Sequence, residues 1–218
     1  MKNLLIIGGS KFIGKAFIDY FNLQKKFKNL NITIISKKKI YNYNKSKNII
    51  IIKKDFKNIK KLPNSDYILY CLRTESIKND NRLFNLFKKI LLRSKMTPKI
   101  IFTSSGSVYG ENIKKIKIKE TKRIRNIDVN NLENYKKKWS KQKTNMEKNF
   151  YLLSKKKYKI AILRMFSFIG KNLIPQNYAP SIFIKSCIAK KPIELKGPKN
   201  TYRSYLHEKD LVEWIVKI

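Results

Sequence analysis

Apolar residues fall in two rhythms along this chain. Short unbroken or nearly unbroken runs, at Leu4–Ile7, Asn31–Ser36, Ile49–Ile52, Asp66–Leu72, Lys99–Thr103 and Lys159–Leu163, predict six strands. Runs without alternation belong to strands covered on both faces, as in parallel sheets. Between them apolar residues recur every three or four positions. Phe12, Ile13, Ala16, Phe17, Tyr20 and Phe21 do so after the first strand, and Leu83, Phe84, Phe87, Ile90 and Leu91 do so within 76–94, with Pro98 beyond the end. Trp139, Met146, Phe150 and Leu153 form the stripe of a long helix over roughly 132–154. Strands alternating with helices imply right-handed crossovers and an α/β fold built on a doubly wound parallel sheet. Residues 40–48 and 111–131 are polar or charged, lack periodicity and read as loops. After the sixth strand Pro175, Pro180, Pro192 and Pro198 break the pattern into short elements, and a last helix starts near Glu208. The expected division is a first domain over 1–166 and the beginning of a smaller, incomplete one over 167–218.

Composition narrows the class. Hydrophobic residues make up 42 % of the 218, enough for a globular core. No apolar run approaches the roughly 18 residues of a membrane span, and the N-terminus enters a strand without a cleavable signal pattern. A cytoplasmic protein with no membrane partner is the expectation. Cys71 and Cys187 are then free, mostly buried thiols. The formal net charge of +37 raises the question of nucleic acid. Lysine supplies 44 of the 51 basic residues and arginine, the better phosphate and base reader, only 7. The lysines are spread evenly, and abundant Ile and Asn point to A/T-rich coding. No specific nucleic-acid partner is expected; an RNA-binding protein using its lysines is the minor reading.

The chemistry begins at the first turn. The strand ending at Ile7 is followed by Gly8-Gly9-Ser10-Lys11-Phe12-Ile13-Gly14 and then by an amphipathic helix. Strand, glycine turn and helix form a dinucleotide-binding arrangement: glycines let the backbone approach a pyrophosphate, and the helix N-terminus offers free N–H groups and a positive dipole end. In such folds an acidic residue at the end of the second strand takes the ribose hydroxyls. Here Ser36 and Lys37 stand there, and with Lys11 they favour the 2′-phosphate of NADP over NAD. Asp55, beside Phe56 after the third strand, either bonds an adenine amino group or caps a helix. Lys143 falls on the apolar stripe of the long helix, either with its stem packed and its ammonium in solvent or as a functional cation aimed into the sheet.

Five segments in order resemble the extended short-chain dehydrogenases/reductases of the NAD-dependent epimerase/dehydratase type, a Rossmann-like class acting on nucleotide sugars. They are the Gly8–Gly14 turn, Thr103-Ser-Ser-Gly-Ser-Val-Tyr-Gly110, Trp139-Ser-Lys-Gln-Lys143 with Glu147, Arg164-Met-Phe-Ser-Phe-Ile-Gly170, and Arg203-Ser-Tyr-Leu-His-Glu-Lys-Asp-Leu211. The resemblance implies that Ser105 polarises the reacting oxygen and that Lys143 binds the nicotinamide ribose. It places Ser107, Tyr109, Ser167 and Arg203 around the substrate, Arg203 on its diphosphate, and implies a homodimer through the two long helices. The family helix carries a tyrosine one turn before its lysine; this chain has Trp139, an N–H donor that does not titrate. Tyr135 or Tyr109 is the possible substitute. Lys11 replaces a glycine, Ser167 replaces a common asparagine, and the family continues some 70 residues further, so the chain reads as C-terminally truncated. The expected function is NAD(P)-dependent epimerase, dehydratase or reductase chemistry on a nucleotide sugar, with a catalytically silent NAD(P)-binding protein as the alternative. No metal ligand set is seen.

Overall fold

The computed structural model of the chain describes residues 1–23, 29–40, 48–110, 120, 134–173, 178–195 and 204–218. Six parallel strands, β1 (Lys2–Ile7), β2 (Leu30–Ser36), β3 (Ile49–Lys53), β4 (Tyr67–Tyr70), β5 (Lys99–Ser105) and β6 (Ile160–Met165), form one sheet in the order β3-β2-β1-β4-β5-β6. The predicted strands are all present, with ends shifted by a few residues. The helices beside them are α1 (Phe12–Leu23), α2 (Ile77–Arg93) and α3 (Asn134–Ser154). Beyond β6 come β7 (Ser167–Ile169), α4 (Ala179–Ile188), β8 (Tyr205–His207) and α5 (Glu208–Lys217), with β7 and β8 paired in parallel as a separate ribbon. The predicted loop over 111–131 lies outside the described residues except for Glu120.

The strand period of two sorts the apolar runs onto two faces. Leu5, Ile7, Ile35, Ile68, Tyr70, Ile100 and Phe102 point to the side covered by α2 and α3. Leu4, Ile6, Ile32, Ile34, Ile49, Leu69 and Ile101 point to the side covered by α1 and α5. Both faces are buried, which is why the runs are continuous. Register follows the same logic: β1 and β2 pair Leu4 with Ile32 and Ile6 with Ile34, and β1 and β4 pair Leu5 with Ile68. The α2–α3 side is held by aromatic packing. The Phe150 ring on α3 stacks on Phe102 of β5 at 4.5 Å and meets Tyr70 and Phe84 edge-on at 5.2 and 4.9 Å. Phe150→Ala leaves a void among large rings that cannot collapse into it, so a loss of about 3–5 kcal/mol in unfolding free energy is expected in a urea titration.

Local signals fix the ends. Ser76 caps α2, its hydroxyl accepting from the Asn79 N–H at 3.2 Å, and the helix closes at Ser94, four residues before Pro98. His207 caps α5 through Nδ1, which accepts from the Lys209 N–H at 3.3 Å, with Glu208 and Asp210 in the first turn. The segment expected to begin a second domain also helps complete the first layer. Leu211, Val212 and Ile215 of α5 share the α1 core, and Tyr20 on α1 donates to Glu213 at 2.9 Å. The link after β7 is tied to α1 as well: Lys171 pairs with Asp19 at 3.1 Å, and the Asn172 amide donates to the same carboxylate at 2.7 Å.

Candidate functional site

Strand order reverses between β1 and β4, and the loops leaving their C-terminal ends open a crevice there, the place where ligands bind in open α/β sheets. The glycine turn lies at its centre. Gly8 adopts φ 90°, its N–H donates to the Ile35 carbonyl at 2.9 Å, and a Cβ on it would lie 2.9 Å from the Leu72 nitrogen. A Cβ on Gly14 would lie 1.8 Å from the Gly9 carbonyl oxygen, and one on Gly9 would lie 2.6 Å from Ile34 Cγ2. The first turn of α1 therefore sits directly on the backbone of the turn, and no other residue type fits. Lys11 accepts at its carbonyl from the Lys15 N–H at 3.1 Å, so the amides ahead of Lys15 face out of the helix end. Ser10 and Lys11 lie in the turn, Ile13 packs toward the core, and the Phe12 ring lies 4.9 Å from that of Phe168. This cradle has the shape and polarity a pyrophosphate needs.

On the β2–β3 side the side chains are already engaged with one another. Ser36 is buried and its hydroxyl donates to the Lys38 carbonyl at 2.8 Å. Lys37 pairs with Asp55 at 3.4 Å. Asp55 caps a 3-10 turn over Phe56–Asn58 by accepting from the Lys57 N–H at 3.1 Å. Burial tends to raise its carboxyl pKa, but the Lys57 amide and the Lys37 and Lys57 charges outweigh this and hold it below the ordinary range. The Phe56 ring is buried in the α2-side core, 6.5 Å from Phe87, so only its backbone would face a cofactor. Its apolar character was a core signal.

On the β4–β5 side the expected residues converge. Lys143 is 7 % exposed, its ammonium aimed into the sheet rather than into solvent, and Nζ donates to the Thr103 carbonyl at 2.6 Å. It also lies 5.0 Å from the ring centres of both Trp139 and Phe102. Burial is the main cause that lowers its pKa, to about 8; the neighbouring Arg73 charge pushes the same way, against Cys71, Asp80 and Glu147. Ser105 ends β5, its hydroxyl accepting from the Ser107 N–H at 3.2 Å. Ser140 donates to the Ser107 carbonyl at 2.7 Å, pinning this turn to α3, while the Ser107 hydroxyl is buried without a hydrogen-bond partner in the structure. Tyr109 is not free: its phenol oxygen accepts from Arg164 Nη1 at 3.0 Å. Arg164 in turn grips Glu147 through two nitrogens, at 2.8 Å for the shorter contact, and Ser104 donates to Glu147 at 2.5 Å. Ser167 opens β7 opposite Tyr205. Arg203 and the side chain of Tyr135 lie outside the described residues.

Lys143 carries a testable cost. Its pKa falls on folding, so below about pH 8 both folded and unfolded chains hold the proton and the full cost of burying the ammonium is present. Between about 8 and 10.5 only the unfolded chain keeps it, so rising pH relieves that cost. Lys143→Met is therefore expected to be more stable than the wild type at about pH 7, by an amount that shrinks at about pH 9.5; paired urea titrations at the two values measure it.

Two residues of the site carry no signal in apolar spacing. Arg73, three residues past β4, lays its guanidinium carbon 3.8 Å from the Trp139 ring centre. Asp80, 5 % exposed on α2, accepts from the Thr74 N–H at 2.7 Å and from Gln142 Nε2 at 2.9 Å, tying α2, α3 and the loop after β4 together. Arginine is scarce in this chain, and two of its seven, Arg73 and Arg164, make the planar stacking and bidentate pairing that lysine cannot. Cys71 is partly buried and Cys187 exposed, and both are free thiols; the second had been expected inside. Among the described residues no helix is long and apolar enough to cross a membrane, and no cluster of three or more metal-ligating side chains forms.

Comparison with known proteins agrees with this layout. The chain matches a dTDP-glucose 4,6-dehydratase from Bacillus anthracis, solved in complex with NAD, with a TM-score of 0.76 and 17 % identity over 99 % of this chain and 71 % of that one. It matches a UDP-glucuronic acid 4-epimerase from Bacillus cereus, also with NAD, with a TM-score of 0.72 and 18 % identity over 98 % and 72 %. The Bordetella bronchiseptica enzyme WbmF in complex with NAD+ gives 0.68 and 10 % over 99 % and 68 %. At these identities the likeness is one of fold. No curated protein matches the chain. A family model, however, matches residues 4–218, from the first strand to the last helix, and by that match the chain belongs to the NAD dependent epimerase/dehydratase family.

Proposed function

We propose that this protein binds a nicotinamide dinucleotide across the β1–β4 crevice and uses it for hydride transfer at a carbon of a nucleotide sugar, as an epimerase, dehydratase or reductase. The observation that carries the reading is the meeting, at one edge of the sheet, of the Gly8–Gly14 cradle with Ser105 and Lys143. The glycines and the α1 N-terminus would hold the pyrophosphate, and Lys143 the ribose on the nicotinamide side. When bound, the dinucleotide supplies the hydride acceptor or donor. Ser105 would polarise the sugar oxygen at the reacting carbon. Ser107, Tyr109, Ser167 and Arg203 would line the substrate side, with residues 167–218 as the start of that region. Lys11, Ser36 and Lys37 favour NADP over NAD, although Lys37 is shared with Asp55.

Trp139 supports a second reading. Proton exchange with the sugar oxygen needs a titrating group within hydrogen-bond reach. An indole cannot supply it, and the Tyr109 oxygen is held by Arg164. On that reading the protein binds dinucleotide and sugar nucleotide without turnover. Incubation with dTDP- and UDP-sugars and either dinucleotide, followed by nicotinamide absorbance and by chromatography of the sugar nucleotide, separates the two. Conversion of any of them supports the first reading; saturable binding with unchanged substrate supports the second; absence of both binding and conversion overturns both.

A further inference from the structure

A dinucleotide crossing this crevice lays one half over β2 and β3 and the other over β4 and β5. The second half is the nicotinamide half, and the inference below rests on that binding mode. At that end of the crevice the sequence places two cations around one aromatic ring. The Arg73 guanidinium lies 3.8 Å from the centre of the Trp139 ring, and the Lys143 ammonium 5.0 Å from it. Arg73 is open to solvent, and among the described residues it makes no hydrogen bond or ion pair; its orientation comes from the indole face.

The anions nearby offset this pair only in part. Asp80 is buried, among the described residues its oxygens accept only from the neutral Thr74 and Gln142 groups, and its single charge is shared between Arg73 and Lys143. Glu147 is bound to Arg164. Glu75 is exposed, where solvent and salt screen it. Position 139 is decisive, because a tyrosine there can become an anion beside the lysine and a tryptophan cannot.

The two oxidation states of a nicotinamide dinucleotide differ in charge at this ring. The oxidised ring is a cation and the dihydro ring is neutral, while the rest of the molecule is the same. We infer that the Arg73–Trp139–Lys143 cluster selects by charge, holding the dihydronicotinamide form in preference to the nicotinamidium form. The Gly8–Gly14 cradle contacts only the shared part and cannot discriminate.

Calorimetric titration of the full chain with NADH, NAD+, NADPH, NADP+ and ADP-ribose at low and moderate salt tests this. The expected result is that each reduced form binds at least tenfold more tightly than its oxidised partner. Arg73→Gln is expected to shrink that ratio to a fewfold by strengthening the oxidised form, and to leave ADP-ribose, which has no nicotinamide, unchanged. Added salt is expected to shrink the wild-type ratio. Should Arg73→Gln disturb folding, ADP-ribose affinity exposes it, and Lys143→Met provides the second variant, with the same direction expected. Equal affinity for both oxidation states, or a ratio untouched by Arg73→Gln and Lys143→Met, overturns the inference while leaving the binding site intact. If neither dinucleotides nor ADP-ribose bind, the proposed binding mode itself is wrong.

Discussion

Gly14→Ala is expected to weaken NADH and NADPH binding by at least about 100-fold, roughly 3 kcal/mol. The methyl group would be built 1.8 Å from the Gly9 carbonyl oxygen, an overlap that rotamer changes cannot relieve because both partners are backbone. Either α1 lifts away from β1 or the turn moves, and both displace the amides that face the phosphates. Lifting α1 also disturbs the core it shares with α5, so some loss of stability accompanies the effect. Circular dichroism separates the two contributions: a variant that keeps its secondary structure but loses binding locates the ligand at the cradle. Gly8→Ala tests the neighbouring constraint, since φ 90° is strained for any residue with a Cβ and the added atom would press on Leu72.

Trp139→Tyr is expected to raise sugar-nucleotide turnover on the order of 100-fold, the lower end of what a positioned proton donor contributes. Residues 139 and 143 are one helical turn apart on the same face, and Lys143 is already buried at the sheet edge. A phenol at 139 would share that environment and could exchange a proton with a substrate oxygen polarised by Ser105. Its aromatic face would still receive Arg73, so the cluster that orients the guanidinium is retained. The control is Trp139→Phe, which keeps the ring without the hydroxyl and is expected to show no gain. A gain in both variants would mean that the indole acts by bulk rather than by lacking a proton; no gain in either would move the acid–base role to another residue.

The fold was legible because strand runs and helix spacing are consequences of burial, and burial here is regular. Leu4–Ile7 is continuous because α1 and α5 cover one face of β1 and α2 and α3 the other. The cradle was legible for a related reason: glycine at 8, 9 and 14 is demanded by contacts of backbone with its neighbours, which leave a fixed residue pattern. Lys143 was legible because a lysine on an apolar stripe breaks the pattern. Side-chain partnerships across the sheet leave no such trace. That Arg73 would lie on Trp139, 66 positions later, depends on how the loop after β4 meets α3. That Asp55 would cap a 3-10 turn and hold Lys37 depends on the path of four residues. That the Phe56 ring would pack in the core was not legible, because an aromatic residue beside a ligand and one in a core look alike in sequence. The pairing of Arg164 with Glu147 and Tyr109 joins three of the segments that carry the family resemblance, yet nothing in their spacing says that they touch.

Hydrogen exchange of the full chain with and without saturating NADH tests the central claim most directly, because it reads location without altering a residue. Slowed exchange is expected in two separate stretches: the amides of residues 8–16, at the cradle and the first turn of α1, and those of 103–109 at the end of β5, with the lysine-rich outer faces of α2 and α3 unchanged. Binding with no protection over 8–16, or protection spread over the lysine-bearing surface, would contradict it.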